Sequence, residues 1–173
     1  MPFIWSGLQS VVSVPVESVL FASAMRLEKL DMRYLLLVSH GTFAPGLHSV
    51  LDMLLGPRDD ILSCSMEDGM GADVFVENLK KVIEPIGADD EVTCFGDIIG
   101  GSPLTNTLNT LSERELIPRT VALGGMNLPM AITAAMETDS DIATLRDSII
   151  AEGKEAIREV DLALPEDNDE EDI

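Results

Sequence analysis

The chain has 173 residues, 46% of them hydrophobic, which suits one domain with a single core and is short for two. Acidic residues outnumber Lys and Arg by 31 to 11, and the formal net charge of −20 argues against a surface that binds nucleic-acid phosphates. Two cysteines are too few for a disulfide-rich secreted scaffold, and no apolar run reaches the ~18–20 residues of a membrane-spanning helix. These features predict a cytoplasmic protein that does not insert into a membrane.

Both ends of the chain differ in composition from the part between them. Residues 1–31 are largely hydrophobic, but no Lys or Arg precedes Arg26, so the basic start of a signal peptide is absent. They are interpreted as an N-terminal extension without an assigned role. Residues 165–173 are mostly acidic and predict a disordered tail. The sequence therefore predicts one domain over residues 32–164.

The domain begins with two strand-helix units. Residues 34–39 form a continuous apolar run, as in a strand that is covered on both faces, and end at His40-Gly41. Apolar residues at helical spacing follow, up to a Gly-Pro pair that ends the helix. A second strand over residues 61–64 and a second helix over residues 74–83 repeat this order.

A third unit follows in the same order. Residues 92–95 predict a strand, and Gly100-Gly101 predicts a turn. We expect the next helix to begin with Ser102 as its N-cap and Pro103 at its first position, because both residue types are favoured there.

The last predicted elements are one strand and two helices. The strand covers residues 120–123, Asn127 caps a helix that runs to residue 136, and a final helix extends from residue 142 to about 158. Strands and helices in this order predict an α/β fold, a three-layer sandwich in which helices flank a mainly parallel central sheet.

Polar residues follow every predicted strand, and ligands of such sheets bind at the carboxyl ends of the strands. Because these ends meet at one edge, we expect the functional groups to lie together there. The four polar segments are residues 39–41, 67–69, 97–102 and 124–127.

Of the two histidines, His40 is the stronger functional candidate. His48 follows Leu47 in a helical pattern and is predicted to lie on the helix surface. His40 ends the first strand, and Asp97 ends the third, where it can accept a hydrogen bond from one ring nitrogen of His40. The other nitrogen then keeps a lone pair that can attack an electrophile. Taken alone, the position of His40 fits equally well a residue that only caps the strand.

The loop after Asp97 adds groups that suit anionic oxygens. Gly100, Gly101 and Ser102 bring backbone N–H groups, a hydroxyl and a helix N-terminus to the same edge of the sheet. By itself, a Gly-Gly-Ser-Pro turn is a common helix start. Together with His40 and Asp97, it predicts a site for phosphoryl chemistry.

Other catalytic patterns are missing from the sequence. It has no GxxxxGK[ST] motif for ATP, no GxGxxG motif after a strand and no GxSxG elbow of a hydrolase. Ser39 and Cys94 fall within predicted strands and are expected to pack there. One useful histidine with scattered carboxylates is a weak metal site, so no metal or cofactor is predicted.

Four motifs resemble, in order and spacing, the IIA component of the mannose/fructose/sorbose family of the bacterial phosphoenolpyruvate-dependent sugar phosphotransferase system (PTS). They are LLLVSHG, MLLG, DIIGGSP and GGMNLPM, which begin at residues 35, 53, 97 and 124. The resemblance covers about residues 32–160. It implies a phosphotransferase in which His40 carries a phosphoryl group on Nε2 while Asp97 holds Nδ1–H. The residues that it implies around the phosphoryl oxygens are Ile98, Ile99, Gly100, Gly101 and Ser102.

The resemblance also implies partners. Such proteins take a phosphoryl group from the phosphocarrier HPr and pass it to the IIB component, which phosphorylates the incoming sugar at the membrane permease, IIC/IID. The IIA component itself never contacts the sugar. Family members form homodimers by exchanging a C-terminal edge strand. Residues 159–164 are a candidate for that strand and equally for the end of the last helix.

The sequence departs from the family in two places. Ile98-Ile99 stand where the family often has Thr-Trp, so an aromatic wall of the site is missing. The extension over residues 1–31 is foreign to the family, and no IIB domain follows, so IIB is expected as a separate chain.

Two alternative functions remain compatible with the sequence. One is the phosphotransfer subunit of dihydroxyacetone kinase, which resembles this family and also uses a histidine after the first strand. The Gly-Gly-Ser-Pro turn favours the IIA interpretation over it. The other is a regulatory module whose partner distinguishes phosphorylated from free His40.

Overall fold

The computed structural model describes residues 32–160, in which strands and helices alternate as predicted. The strands are β1 (Arg33–His40), β2 (Ile61–Met66), β3 (Glu91–Gly96) and β4 (Thr120–Gly124). The α-helices are α1 (Phe43–Leu55), α2 (Ala72–Val82), α3 (Ser102–Glu113), α4 (Leu128–Met136) and α5 (Ile142–Glu155). A short 3₁₀ helix, Ile117–Arg119, leads into β4 and was not predicted.

All four strands are parallel and lie in the order β2-β1-β3-β4. β1 therefore has a neighbour on each side, and its Val38 pairs with Cys64 of β2 and with Gly96 of β3. The chain moves from β1 to β2 and then crosses β1 to form β3 on the other side. This reversal opens a crevice at the carboxyl ends of β1 and β3, where open α/β sheets bind their ligands.

The sheet lies between two layers of helices. Leu35 and Leu37 of β1 belong to a core that includes buried residues of α1, α4 and α5. Leu36 and Val38 face the opposite way, into a core shared with α2 and α3. Burial on both faces explains the unbroken apolar run in β1. The predicted three-layer α/β sandwich with a parallel central sheet is confirmed.

Two helix boundaries differ from the prediction. Gly101, with φ −65° and ψ 151°, is the N-cap of α3, and Ser102 is already helical. The predicted cap at Ser102 is therefore wrong by one residue. At the other boundary, α5 ends at Glu155 rather than near residue 158, and Ile157 beyond its end is exposed. The predicted cap at Asn127 is confirmed, since its side chain accepts a hydrogen bond from the backbone N–H of Met130.

Several predictions concern segments beyond this structure. The N-terminal extension, the acidic tail and residues 161–164 of the candidate edge strand lie outside the described residues. Residues 159 and 160 belong to neither a helix nor a strand. No helix between residues 32 and 160 is long and apolar enough to cross a membrane.

Candidate functional site

His40 and Asp97 meet at the crevice between β1 and β3. His40 is the last residue of β1, and Asp97 directly follows the last residue of β3. Because these strands pair directly, the sheet fixes the distance between the two residues. The side chain of His40 is 45% exposed, whereas that of Asp97 is only 11% exposed. The ring is therefore open to an incoming molecule while its carboxylate partner is shielded.

The carboxylate of Asp97 is hydrogen-bonded through both oxygens. Oδ2 lies 2.9 Å from the ring Nδ1 of His40, and it also accepts the backbone N–H of His40 at 2.9 Å. Oδ1 accepts the backbone N–H of Ile98 at 2.9 Å. The contact between His40 and Asp97 that was expected from the sequence is thus present in the structure.

These contacts favour the ionised form of Asp97. Burial favours the neutral form of Asp97, but the hydrogen bonds from His40 and Ile98 outweigh it and hold the pKa of Asp97 below its usual value. An ionised carboxylate only accepts hydrogen bonds, so Nδ1 of His40 carries the proton that it donates. In the neutral ring, Nε2 then holds the lone pair. Nε2 has no hydrogen-bond partner among residues 32–160.

The loop of residues 98–101 lies against the ring of His40. The backbone N–H of Gly101 donates to the carbonyl of Ile98 at 3.2 Å, and Gly100 has a positive φ of 78° in the turn between them. A Cβ at Gly101 would lie only 2.9 Å from Cε1 of His40, so the loop approaches the ring this closely only with glycine there. Ser102 follows as an exposed residue at the start of α3.

Unpaired backbone donors occur in the same loop. Within the described part of the chain, the N–H groups of Ile99 and Gly100 have no hydrogen-bond partner. The N-terminus of α3 adds the N–H of Ser102, which no residue of the helix itself can accept. Together with the partial positive charge of a helix N-terminus, these groups suit the oxygens of an anion.

A cleft of about 300 Å³ opens on the other side of His40. Its walls combine acidic and methionine side chains from the connection between β2 and α2. The lining residues are His40, Gly41, Met66, Glu67, Asp68, Gly69 and Met70. The polar segment at residues 67–69 that was predicted at this edge therefore lies beside the histidine, although it was not predicted as part of the site.

His48 lies elsewhere, on α1, and its predicted position on the helix surface is confirmed only in part, because the side chain is half-buried. Its side chain is only 23% exposed, and Nδ1 lies 3.0 Å from the hydroxyl of Ser63 in β2. Nε2 lies 3.6 Å from a carboxylate oxygen of Asp52, one turn further along α1. α1 packs on β2 and His48 lies at that contact, which the helical pattern alone could not reveal.

Ser39 and Cys94 are packing residues, as predicted, and Cys64 is also buried. The buried hydroxyl of Ser39 accepts the backbone N–H of Ala44 at 2.7 Å and so holds the start of α1. Burial raises the pKa of the Cys64 thiol to about 11 and that of Cys94 to about 12, so neither is a reactive thiolate at neutral pH. None of the residues in the described range 32–160 form a group of three or more His, Cys, Asp or Glu that could hold a metal ion.

The end of β4 also contacts the site: the polar segment at residues 124–127 was predicted at this edge of the sheet, although not as part of the site. The backbone N–H of Gly125 donates to the carbonyl of Asp97 at 3.2 Å, and that of Met126 donates to the carbonyl of Gly96 at 3.1 Å. Gly124 contacts Ile99 closely. The Gly-Gly pair was a recognisable signal, but its contacts depend on the pairing of β4 with β3.

Residues 34–150 match the family described as the PTS system fructose IIA component, EIIA-man. The chain belongs to this family. EIIA-man proteins are components of the sugar phosphotransferase system and act generally in phosphoryl transfer during sugar transport. The matched range includes His40, Asp97 and the loop that follows.

Solved structures show the same fold. The mannose/sorbose-specific IIA subunit from Enterococcus faecalis has 24% identity and a TM-score of 0.66, over 77% of this chain and 98% of that one. The PTS IIA protein associated with the fucose utilization operon of Streptococcus pneumoniae has 23% identity and a TM-score of 0.62, over 75% and 93%. A sigma-54 interaction domain protein from E. faecalis has 16% identity and a TM-score of 0.57, over 74% and 95%.

Proposed function

We propose that this EIIA-man protein is a phosphocarrier, in which Nε2 of His40 accepts a phosphoryl group from phospho-HPr and passes it to the IIB component. The observation that carries the proposal is the contact of Asp97 with Nδ1 of His40 at 2.9 Å. It leaves Nε2 with the lone pair on an exposed ring at the carboxyl edge of the sheet.

The transfer is a displacement at phosphorus. The lone pair of Nε2 forms a bond to phosphorus while the bond between phosphorus and HPr breaks, and the electron pair of that bond returns to HPr. The ring of His40 becomes more positive as the bond forms, and the carboxylate of Asp97 stabilises that charge through Nδ1–H. Transfer to IIB repeats the displacement with His40 as the leaving group.

The loop over Ile98, Ile99, Gly100, Gly101 and Ser102 is the proposed binding site for the phosphoryl oxygens. Its support is the set of unpaired N–H groups, the N-terminus of α3 and the approach of Gly101 to the ring. In phosphoryl transfer, positioning and charge stabilisation contribute most of the catalysis. Ile98 and Ile99 are 58% and 80% exposed, and they form an apolar rim in place of the aromatic wall expected in the family.

The proposed domain spans residues 32–164 in the cytoplasm, with HPr, IIB and the permease IIC/IID as its pathway partners and a homodimer as its assembly. Nucleic acid is not among the proposed partners. The net charge of −20 attracts a basic partner and repels an acidic one. Association with HPr is therefore expected to weaken as the salt concentration rises, which titration calorimetry at several salt concentrations measures.

Intact-mass spectrometry tests the proposal. The full chain is incubated with phosphoenolpyruvate, enzyme I and HPr, and we expect a gain of one acid-labile phosphoryl group. His40→Ala is expected to gain none. His48→Gln is the matched control, because it removes the other histidine, which packs against Ser63 away from the site.

Each outcome decides something. No phosphoryl gain in the native chain, with every component active on a control acceptor, overturns the phosphocarrier proposal. A gain in His40→Ala overturns the assignment to His40. Onward transfer to IIB supports the IIA role. Transfer to a dihydroxyacetone kinase instead contradicts the IIA role and favours the kinase subunit. Transfer to neither acceptor contradicts it and favours the regulatory module.

A further inference from the structure

Gly124, the last residue of β4, lies against Ile99 in the loop of residues 98–101. It pairs with Gly96 of β3, directly before Asp97. A Cβ at Gly124 would lie 2.2 Å from Cγ1 of Ile99 and 3.1 Å from its backbone nitrogen. The backbone of Gly124 is not in the left-handed region, so space alone demands glycine at this position.

The loop of residues 98–101 therefore makes two close contacts that each require a glycine. Ile99 of the loop packs on Gly124 of β4, and Gly101 of the loop packs on Cε1 of His40. Ile99 is β-branched and has few rotamers with which to avoid an added side chain. Its backbone nitrogen is also close to Gly124, so rotation of the side chain would not remove the whole conflict.

A Cβ added at position 124 would thus press first on Ile99 and so move the loop. The three atoms nearest to that Cβ all belong to Ile99, whereas the contact between His40 and Asp97 is formed by residues at the ends of β1 and β3. The unpaired N–H groups of Ile99 and Gly100 would move with the loop. Their displacement by even a fraction of an ångström changes the geometry around a transferring group.

We propose that Gly124 is a positioning residue of the phosphoryl-transfer site, because its missing side chain lets Ile99 hold residues 98–101 against the ring of His40. This inference rests on the proposed function and adds to it a residue that does not itself contact the phosphoryl group. Gly124 affects the phosphoryl transfer to His40 only through the position of the loop.

The first test is the rate of phosphorylation of Gly124→Ala by phospho-HPr. We expect the rate at saturating donor to fall about 10-fold while KM changes little, since the loop positions the group after the partner has bound. Gly46→Ala is the matched control, because the Cβ added at this α1 residue meets no atom within 4 Å. It is expected to keep the native rate.

Ile99→Ala provides the second half of a double-mutant cycle. It removes the side-chain atoms that conflict with a Cβ at position 124 and leaves the approach to the backbone nitrogen, so Gly124→Ala is expected to slow the Ile99→Ala chain far less than it slows the native chain. Independent, multiplying losses would contradict the proposal. Ile99→Ala alone tests the proposal if Gly124→Ala does not fold. Ile99 is 80% exposed, so its replacement leaves the core intact. A native phosphorylation rate in Ile99→Ala then overturns the proposal.

A spectroscopic readout separates this inference from the proposed function. The chain has two histidines, so its imidazole Cε1–H groups give two NMR signals. In Gly124→Ala the signal of His40 is expected to shift and that of His48 to stay, and Ile99→Ala in the same chain is expected to reverse much of the shift. An unmoved His40 signal overturns the positioning role, whether or not the native chain accepts a phosphoryl group.

Discussion

Oδ2 of Asp97 accepts hydrogen bonds from both the ring Nδ1 and the backbone N–H of His40, each at 2.9 Å. The backbone bond ties the carboxylate to the end of β1, so the orientation of the ring does not depend on one side-chain contact alone. The second oxygen is held by the N–H of Ile98 at 2.9 Å. Asp97 therefore fixes the orientation of the ring and leaves Nε2 without a hydrogen-bond partner among residues 32–160.

Asp97→Asn tests the charge of this contact. The amide keeps an oxygen that accepts a hydrogen bond but lacks the negative charge that stabilises a phosphorylated ring. We expect phosphorylation of His40 by phospho-HPr to slow by about 10–100-fold, the range found when the hydrogen-bonding partner of a metal-bound histidine is removed. Stopped-time mass spectrometry gives the rate. Asp52→Asn is the control, because its carboxylate lies near His48 instead. Equal rates in the two variants would show that the charge of Asp97 is not used.

The lowered pKa of Asp97 predicts a dependence of stability on pH. Because the pKa is lower in the folded chain than the ordinary value of 3.8, the ionised carboxylate stabilises the fold above that value. This stabilisation is lost as the pH falls through the folded pKa. The difference in free energy of unfolding between the native chain and Asp97→Asn should therefore shrink between about pH 5 and pH 2. Urea titrations of both chains at each pH measure it, and a difference that grows toward low pH would contradict the prediction.

The contact between His40 and Asp97 was predictable because both residues end strands of one parallel sheet, and such ends meet at one edge. The contact between Gly124 and Ile99 was not, since it depends on the register that pairs Gly124 with Gly96. The partial burial of His48 was not predictable for a similar reason, because His48 contacts Ser63 on a different element. Patterns along the chain specify elements and their order, whereas contacts across elements depend on packing that the patterns do not record.

The buried cysteines predict slow thiol chemistry in the folded protein. Burial raises the pKa of Cys64 to about 11 and of Cys94 to about 12, so almost no thiolate is present at pH 7.5. An aromatic disulfide reagent should leave both unmodified in the native chain and modify both in denaturant. As denaturant is added, Cys64 should react before Cys94 because its side chain keeps a small exposed fraction in the folded chain. Rapid reaction of either thiol without denaturant would show that its strand opens locally.

Asn127 joins the site face of β4 to the helices behind it, and its replacement tests that link. Its Oδ1 accepts the N–H of Met130 at 3.1 Å, which caps α4, and its Nδ2 donates to the carbonyl of Gly153 in α5 at 3.1 Å. Asn127→Ala loses both bonds and should lower the free energy of unfolding by about 1–2 kcal/mol. Asn127→Ser keeps a capping oxygen but cannot reach Gly153, so its loss in urea titrations should be smaller. If both variants lose the same stability, the cap contributes nothing, and the bond to α5 is the stabilising contact.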